Sequence, residues 1–91
     1  MASNFHVFFY ETRDTLHLRL SGDFDGTSAF QLLETLKKQK AGFDQIFIDV
    51  NNLKIIYPFA LEVFQKEINS YGQKTDNFIF LGKNGYNFSL N

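Results

Sequence analysis

At 91 residues with 44% hydrophobic content, the chain corresponds to one small domain, 1–91, with material for a single core. Nine Lys and Arg against ten Asp and Glu leave a formal charge of −1, with Lys37, Lys38 and Lys40 the only basic cluster, which disfavours nucleic acid as the main partner. The absence of cysteine excludes a disulfide framework and any Cys-ligated zinc or iron–sulfur site, and it fits a reducing compartment.

The start, MASNFHVFFY, has neither a basic n-region nor a long apolar stretch, and no segment reaches the length of a membrane span. A soluble cytoplasmic protein without membrane insertion is therefore expected. Phe5 to Tyr10 is a run of large apolar residues broken by His6. After the polar turn ETRDT, Leu16, Leu18 and Leu20 alternate with His17, Arg19 and Ser21, a period of two that predicts a strand with one apolar face. The two runs predict an antiparallel hairpin. The strand signal stops at Gly22, DFDG reads as a loop, and Thr27 or Ser28 is positioned to cap a helix beginning near Ala29. Ala29, Leu32, Leu33 and Leu36 make its apolar stripe, and Gly42 is its expected terminator.

Ile46, Phe47, Ile48 and Val50 form a dense β-prone run, read as an interior strand covered on both faces. Pro58 suits the first turn of a helix, and Ala60, Val63, Phe64, Glu67 and Ile68 carry helical spacing over Phe59 to about Asn69. Phe78 to Leu81 reads as a further buried strand. Tyr86 to Leu90 is a weaker strand candidate beyond a turn at Gly82 to Gly85. The fold class is α/β: a single-domain mixed sheet with helices, in the order β-β-α-β-α-β with a short final strand as a further candidate.

In that order of elements, three segments resemble the STAS domain, the fold of the anti-anti-sigma factors. They are LHLRLSGDFDGTSAFQLLETL from Leu16, IFIDVNNLKIIYPFAL from Ile46 and FIFLG from Phe78. The resemblance implies a regulatory protein-docking module. Family members that work as phosphorylation switches carry Asp-Ser-Ser-Gly at the start of the second helix. Matched without gaps, Tyr57 stands at the aspartate, Pro58 at the serine that takes the phosphate, Phe59 at the second serine and Ala60 at the glycine. Proline has no hydroxyl, so the usual switch does not carry over. Family domains also place another helix before the final strand and one after it, whereas only four residues separate Leu81 from Tyr86. A thinly covered sheet face is the expected consequence.

The candidate protein-binding residues are Asp23, Asp25 and Thr27 in the first loop and Tyr57, Pro58 and Phe59 in the second turn, where two aromatics around a proline would form a rigid apolar knob. The expected partner is a protein: an anti-sigma-like regulator or a second copy of the chain. Asp49 is placed at the end of its strand with a local hydrogen-bonding role, and His6 and His17 are ordinary strand-face histidines. No catalytic residue, metal site or cofactor is assigned, because no nucleophile, base and orienting group share a defensible spacing. The alternative function is a small-ligand or lipid-binding domain of the same fold.

Overall fold

The computed structural model describes residues 4–39, 43–70, 78–83 and 88. Its elements run β1 (His6–Thr12), β2 (Thr15–Phe24), α1 (Gly26–Gln39), β3 (Gln45–Ile56), α2 (Pro58–Ser70) and β4 (Phe78–Leu81). This is the predicted β-β-α-β-α-β order. The strands form one sheet in the order β1-β2-β3-β4, with β1 antiparallel to β2 and the other pairs parallel.

The hairpin turn is tighter than the five-residue ETRDT. Thr12 pairs with Thr15, so only Arg13 and Asp14 lie outside the ladder, and Arg13 adopts φ 41°. Beyond the leucines, β2 does not stop at Gly22 but continues to Phe24, correcting the reading of DFDG as a loop. Two register shifts against β3, between Arg19 and Ser21 and between Gly22 and Asp23, let it bend while staying paired. Gly22, at φ +92°, makes this course feasible: a Cβ there would lie 2.1 Å from the carbonyl oxygen of Asn4. The strand has no side chain at the point where the N-terminal segment crosses it.

Parallel strands joined through helices follow a right-handed crossover, and here each crossover steps to the next strand in the same direction. Both helices consequently pack on one face. Leu16, Leu18, Leu20, Ile46, Ile48 and Val50 point from the strands into that layer, where they meet Ala29, Leu32, Leu33 and Leu36 of α1 and Ala60, Phe64 and Ile68 of α2, all buried. The α1 stripe read from the sequence is thus the observed one. Phe24, Phe64 and Phe88, each fully buried, close the core in edge-to-face contacts, with Phe24 and Phe88 centroids 5.1 Å apart. Phe88 has a 3₁₀ conformation rather than the extended one expected of Tyr86 to Leu90. The remainder of that segment, the Gly42 terminator and the Asn84 and Gly85 part of the turn lie outside the described residues.

β3 is central in the sheet, as its dense apolar run implies, but covering on both faces is corrected. Ile46, Ile48 and Val50 are buried, whereas Phe47 and Asp49 between them are only half-buried, because no described element lies over their side of the sheet. The expectation of one thinly covered face holds among the described residues.

Candidate functional site

The two segments singled out from the sequence meet at one end of the molecule. Parallel pairing of β2 with β3 sets Asp23 opposite Ile55 and Phe24 opposite Ile56, and the Tyr57 amide then donates to the Phe24 carbonyl at 3.1 Å. Both helices start immediately after these strand ends. Their first turns are in contact: a Cβ added at Gly26 would lie 3.5 Å from Cε2 of the Phe59 ring.

The start of α1 is capped by a side chain. Asp25, not Thr27 or Ser28, is the capping residue: its Oδ1 accepts the Ser28 amide at 2.9 Å, and the Ala29 amide reaches the Asp25 carbonyl at 2.9 Å. The Ser28 hydroxyl, 0% exposed, donates to the Asp23 carbonyl at 2.7 Å and lies 3.0 Å from Asp25 Oδ1. Every residue of Asp-Gly-Thr-Ser is a favoured capping type, so the sequence did not rank them. Its backbone geometry does. The Ser28 amide, the largest cause, holds the Asp25 carboxyl below its ordinary value of 3.8, helped by the Ser28 hydroxyl and the Thr27 amide and opposed by desolvation, which is second in size. Asp23 sits in β2 rather than in a loop, with its amide donating to Asn4 Oδ1 at 3.2 Å. Thr27 is exposed.

The start of α2 differs. Tyr57 occupies the cap position with a side chain that offers the first turn no acceptor, and its carbonyl takes the Ala60 and Leu61 amides at 2.9 and 3.2 Å. Pro58, the first helical residue, has no amide to satisfy. Tyr57 is 46% exposed and Phe59 69%, so neither ring is packed into the core. Ile55 and Phe30 are also exposed large apolar residues here. Phe30 lies one turn along the helix from Gly26, the residue that the Phe59 ring approaches. Phe30 is not legible as a surface residue of interest in the sequence, because in a helix whose buried stripe is already complete nothing in the spacing sets one outward phenylalanine apart.

Asp49 is corrected in position. β3 runs on to Ile56, which leaves Asp49 in mid-strand on the uncovered face, away from the helix starts. Its predicted local role is observed: Oδ1 accepts the Asn51 amide at 2.9 Å, while Oδ2 lies 3.8 Å from Arg19 Nε. His17 is on the same face, stacked between Tyr10 at 4.6 Å and Phe47 at 5.3 Å, with Nε2 3.0 Å from Thr12 Oγ1. No three His, Asp or Glu converge among the described residues. No described helix is long and apolar enough to cross a membrane.

Solved structures share this architecture. The anti-sigma factor antagonist SpoIIAA in its unphosphorylated form superposes with a TM-score of 0.53 at 16% identity, covering 84% of this chain and 70% of that one. The fold is SpoIIAA-like. An uncharacterised DUF3478-family protein from Shewanella loihica, also described as having a SpoIIAA-like fold, gives a TM-score of 0.58 at 17% identity over 91% of this chain and 72% of that one. No family model and no curated protein matches the sequence. The STAS resemblance read from the sequence therefore holds at the level of the fold.

Proposed function

We propose that this chain is a non-catalytic protein-interaction module of regulatory type, which docks a protein partner through the end formed by Asp23, Asp25, Thr27, Tyr57, Pro58 and Phe59. The observation that carries this reading is the exposure of Tyr57 and Phe59 beside the capped start of α1, at a point where strand pairing joins both segments. Exposed aromatics on a rigid support are the usual energetic centre of an interface. The acidic groups beside them suit a partner with basic residues at the rim of its contact surface, such as an anti-sigma-like regulator. Because position 58 has no hydroxyl, phosphorylation there does not switch the module. The SpoIIAA-like fold supports the regulatory class and leaves the partner to be found.

The test is capture of partners by the purified chain from lysate of its source cell, in parallel with a Tyr57→Ser/Phe59→Ser double variant. The same protein should be retained by the parent and lost from the variant while circular dichroism stays unchanged. Equal retention by a folded variant would remove this end as the docking site. A second reading, a small-ligand or lipid-binding domain, rests on a depression of about 650 Å³ on the uncovered sheet face, bordered by Phe8, Tyr10, His17, Phe47 and Leu81. That volume is within the range of small-molecule sites, although the depression is open to solvent. Ligand-induced NMR shifts confined to those residues would favour it.

A further inference from the structure

The uncovered sheet face has a pattern that emerges only from the strand registers. Side chains paired across neighbouring strands point to the same side, so the face is built of rows running across the sheet. One row is Phe8, Arg19, Asp49 and Leu81; the adjacent row is Tyr10, His17, Phe47 and Ile79. Read from either edge, the first row goes apolar, charged, charged, apolar, and its two charges are opposite. The second places an aromatic on each of the two central strands and a large side chain on each edge strand. A two-fold axis running along the strands midway between β2 and β3 exchanges the two halves of every row. It would bring Arg19 opposite the partner copy's Asp49, Phe8 opposite its Leu81, Tyr10 opposite its Ile79, and His17 opposite its Phe47.

We infer that this face is a self-association surface, on which a second copy of the chain packs sheet to sheet about that two-fold axis. Such a contact is isologous, so each attractive pair occurs twice. Exposure agrees with an unfilled surface: Phe8 is 62%, Tyr10 60% and Leu81 43% exposed. The Arg19 side chain is 63% exposed, and its 3.8 Å approach to Asp49 leaves donors for a second carboxylate. Polar residues lie beyond the rows at both ends of the strands, His6 and Ser21 on one side and Thr12 and Thr15 on the other, so the rows are bordered by polar residues along the strand direction. Aligned packing of two twisted sheets is a standard arrangement.

The dimensions set the strength. Four strands at a spacing of ~4.8 Å and the length of β1 at ~3.3 Å per residue give a face of roughly 19 by 23 Å. In projection this is roughly 440 Å², against about 800 Å² of accessible surface per partner in a standard stable interface. The dimer is accordingly of the transient class, forming at micromolar to millimolar concentration. This surface is separate from the helix-start end, so a dimer would still present two docking ends.

Charge reversal tests the pairing. Sedimentation velocity across that concentration range should show the parent chain passing from monomer to dimer. Arg19→Asp and Asp49→Arg, by opposing like charges across the axis, should each weaken dimerisation at least tenfold. An equimolar mixture of the two variants should recover it, since each supplies what the other lacks. Phe8→Lys, at an exposed position, should weaken it comparably and serves as the deciding variant if loss of the Asp49 bond to the Asn51 amide unfolds Asp49→Arg. Tyr57→Ser/Phe59→Ser should dimerise like the parent. The inference is overturned by a parent chain that stays monomeric, by folded Arg19→Asp or Phe8→Lys that dimerises normally, or by folded reversal variants whose mixture does not recover.

Discussion

The two faces of the sheet are made from the same four strands and a similar stock of aromatic rings, yet one is sealed by α1 and α2 and the other is open among the described residues. On the sealed face, Phe24, Phe64 and Phe88 meet edge to face with almost no exposed surface. On the open face, Tyr10, His17 and Phe47 stack on one another while Phe8 and Tyr10 remain more than half exposed. The difference arises from winding. Crossovers that always step the same way must place their helices on one side, whereas a sheet covered twice has to reverse direction. An aromatic-rich composition then divides into rings that hold the domain together and rings available to hold something else.

The sharpest test of that division is Phe64→Ala, which should destabilise the domain by about 3–5 kcal/mol, as measured by urea unfolding, because the cavity lies among rings that cannot all collapse into it. A loss below about 1 kcal/mol would mean the sealed face is not the tightly packed one. Ser28→Ala is expected to cost about 1–2 kcal/mol, since it removes the bond from the buried Ser28 hydroxyl to the Asp23 carbonyl. Arg19→Ala, which breaks an exposed and long ion pair on the open face, should change stability by less than about 0.5 kcal/mol. Equal losses for the two would erase the contrast between the faces in polar contacts.

Asp25 adds a pH dependence at the sealed layer's edge. Its folded carboxyl is held below 3.8, so the ionised form favours folding, and the associated stability is fully present above that value. It is lost as pH falls through the lowered folded value. Asp25→Asn should therefore unfold at lower urea than the parent at pH 7, and the gap between them should close only below about pH 3.8. A gap that is the same at pH 2 would point to a steric role for Asp25 instead of a charged cap.

The periodic parts of this fold were legible in the sequence. Leu16, Leu18 and Leu20 fixed a face of β2, Ala29 to Leu36 fixed the buried stripe of α1, and Pro58 marked the first residue of α2, because each depends on neighbours within one element. The errors share the opposite property. That β2 passes Gly22 and β3 passes Asp49 depends on the two strands pairing with each other along bulged ends, which neither segment encodes alone. The dense run from Ile46 to Val50 looked like a doubly covered strand because Phe47 is apolar, although it stacks against His17 on the open side. At the candidate docking end, the sequence supplied the residues, but their meeting required the β2–β3 register. The rows of the open face draw on residues from four separate strands and were beyond reach for the same reason.

The smallest expected effect on stability decides most about the open face. Phe8 is 62% exposed and has no described element above it, so Phe8→Ser should shift unfolding at dilute, monomeric concentration by no more than about 0.5 kcal/mol. A phenylalanine buried to the extent of Phe64 could not be replaced so cheaply. Nor does an exposed ring at this position help folding enough to explain its presence on a strand with Phe9 and Tyr10 beside it. If Phe8→Ser unfolds like the parent when dilute but loses the extra stability that the parent gains at high concentration, the ring acts between molecules. If the parent gains none, or Phe8→Ser destabilises the monomer by several kcal/mol, the open face is part of the domain's own packing and the division between its two faces fails.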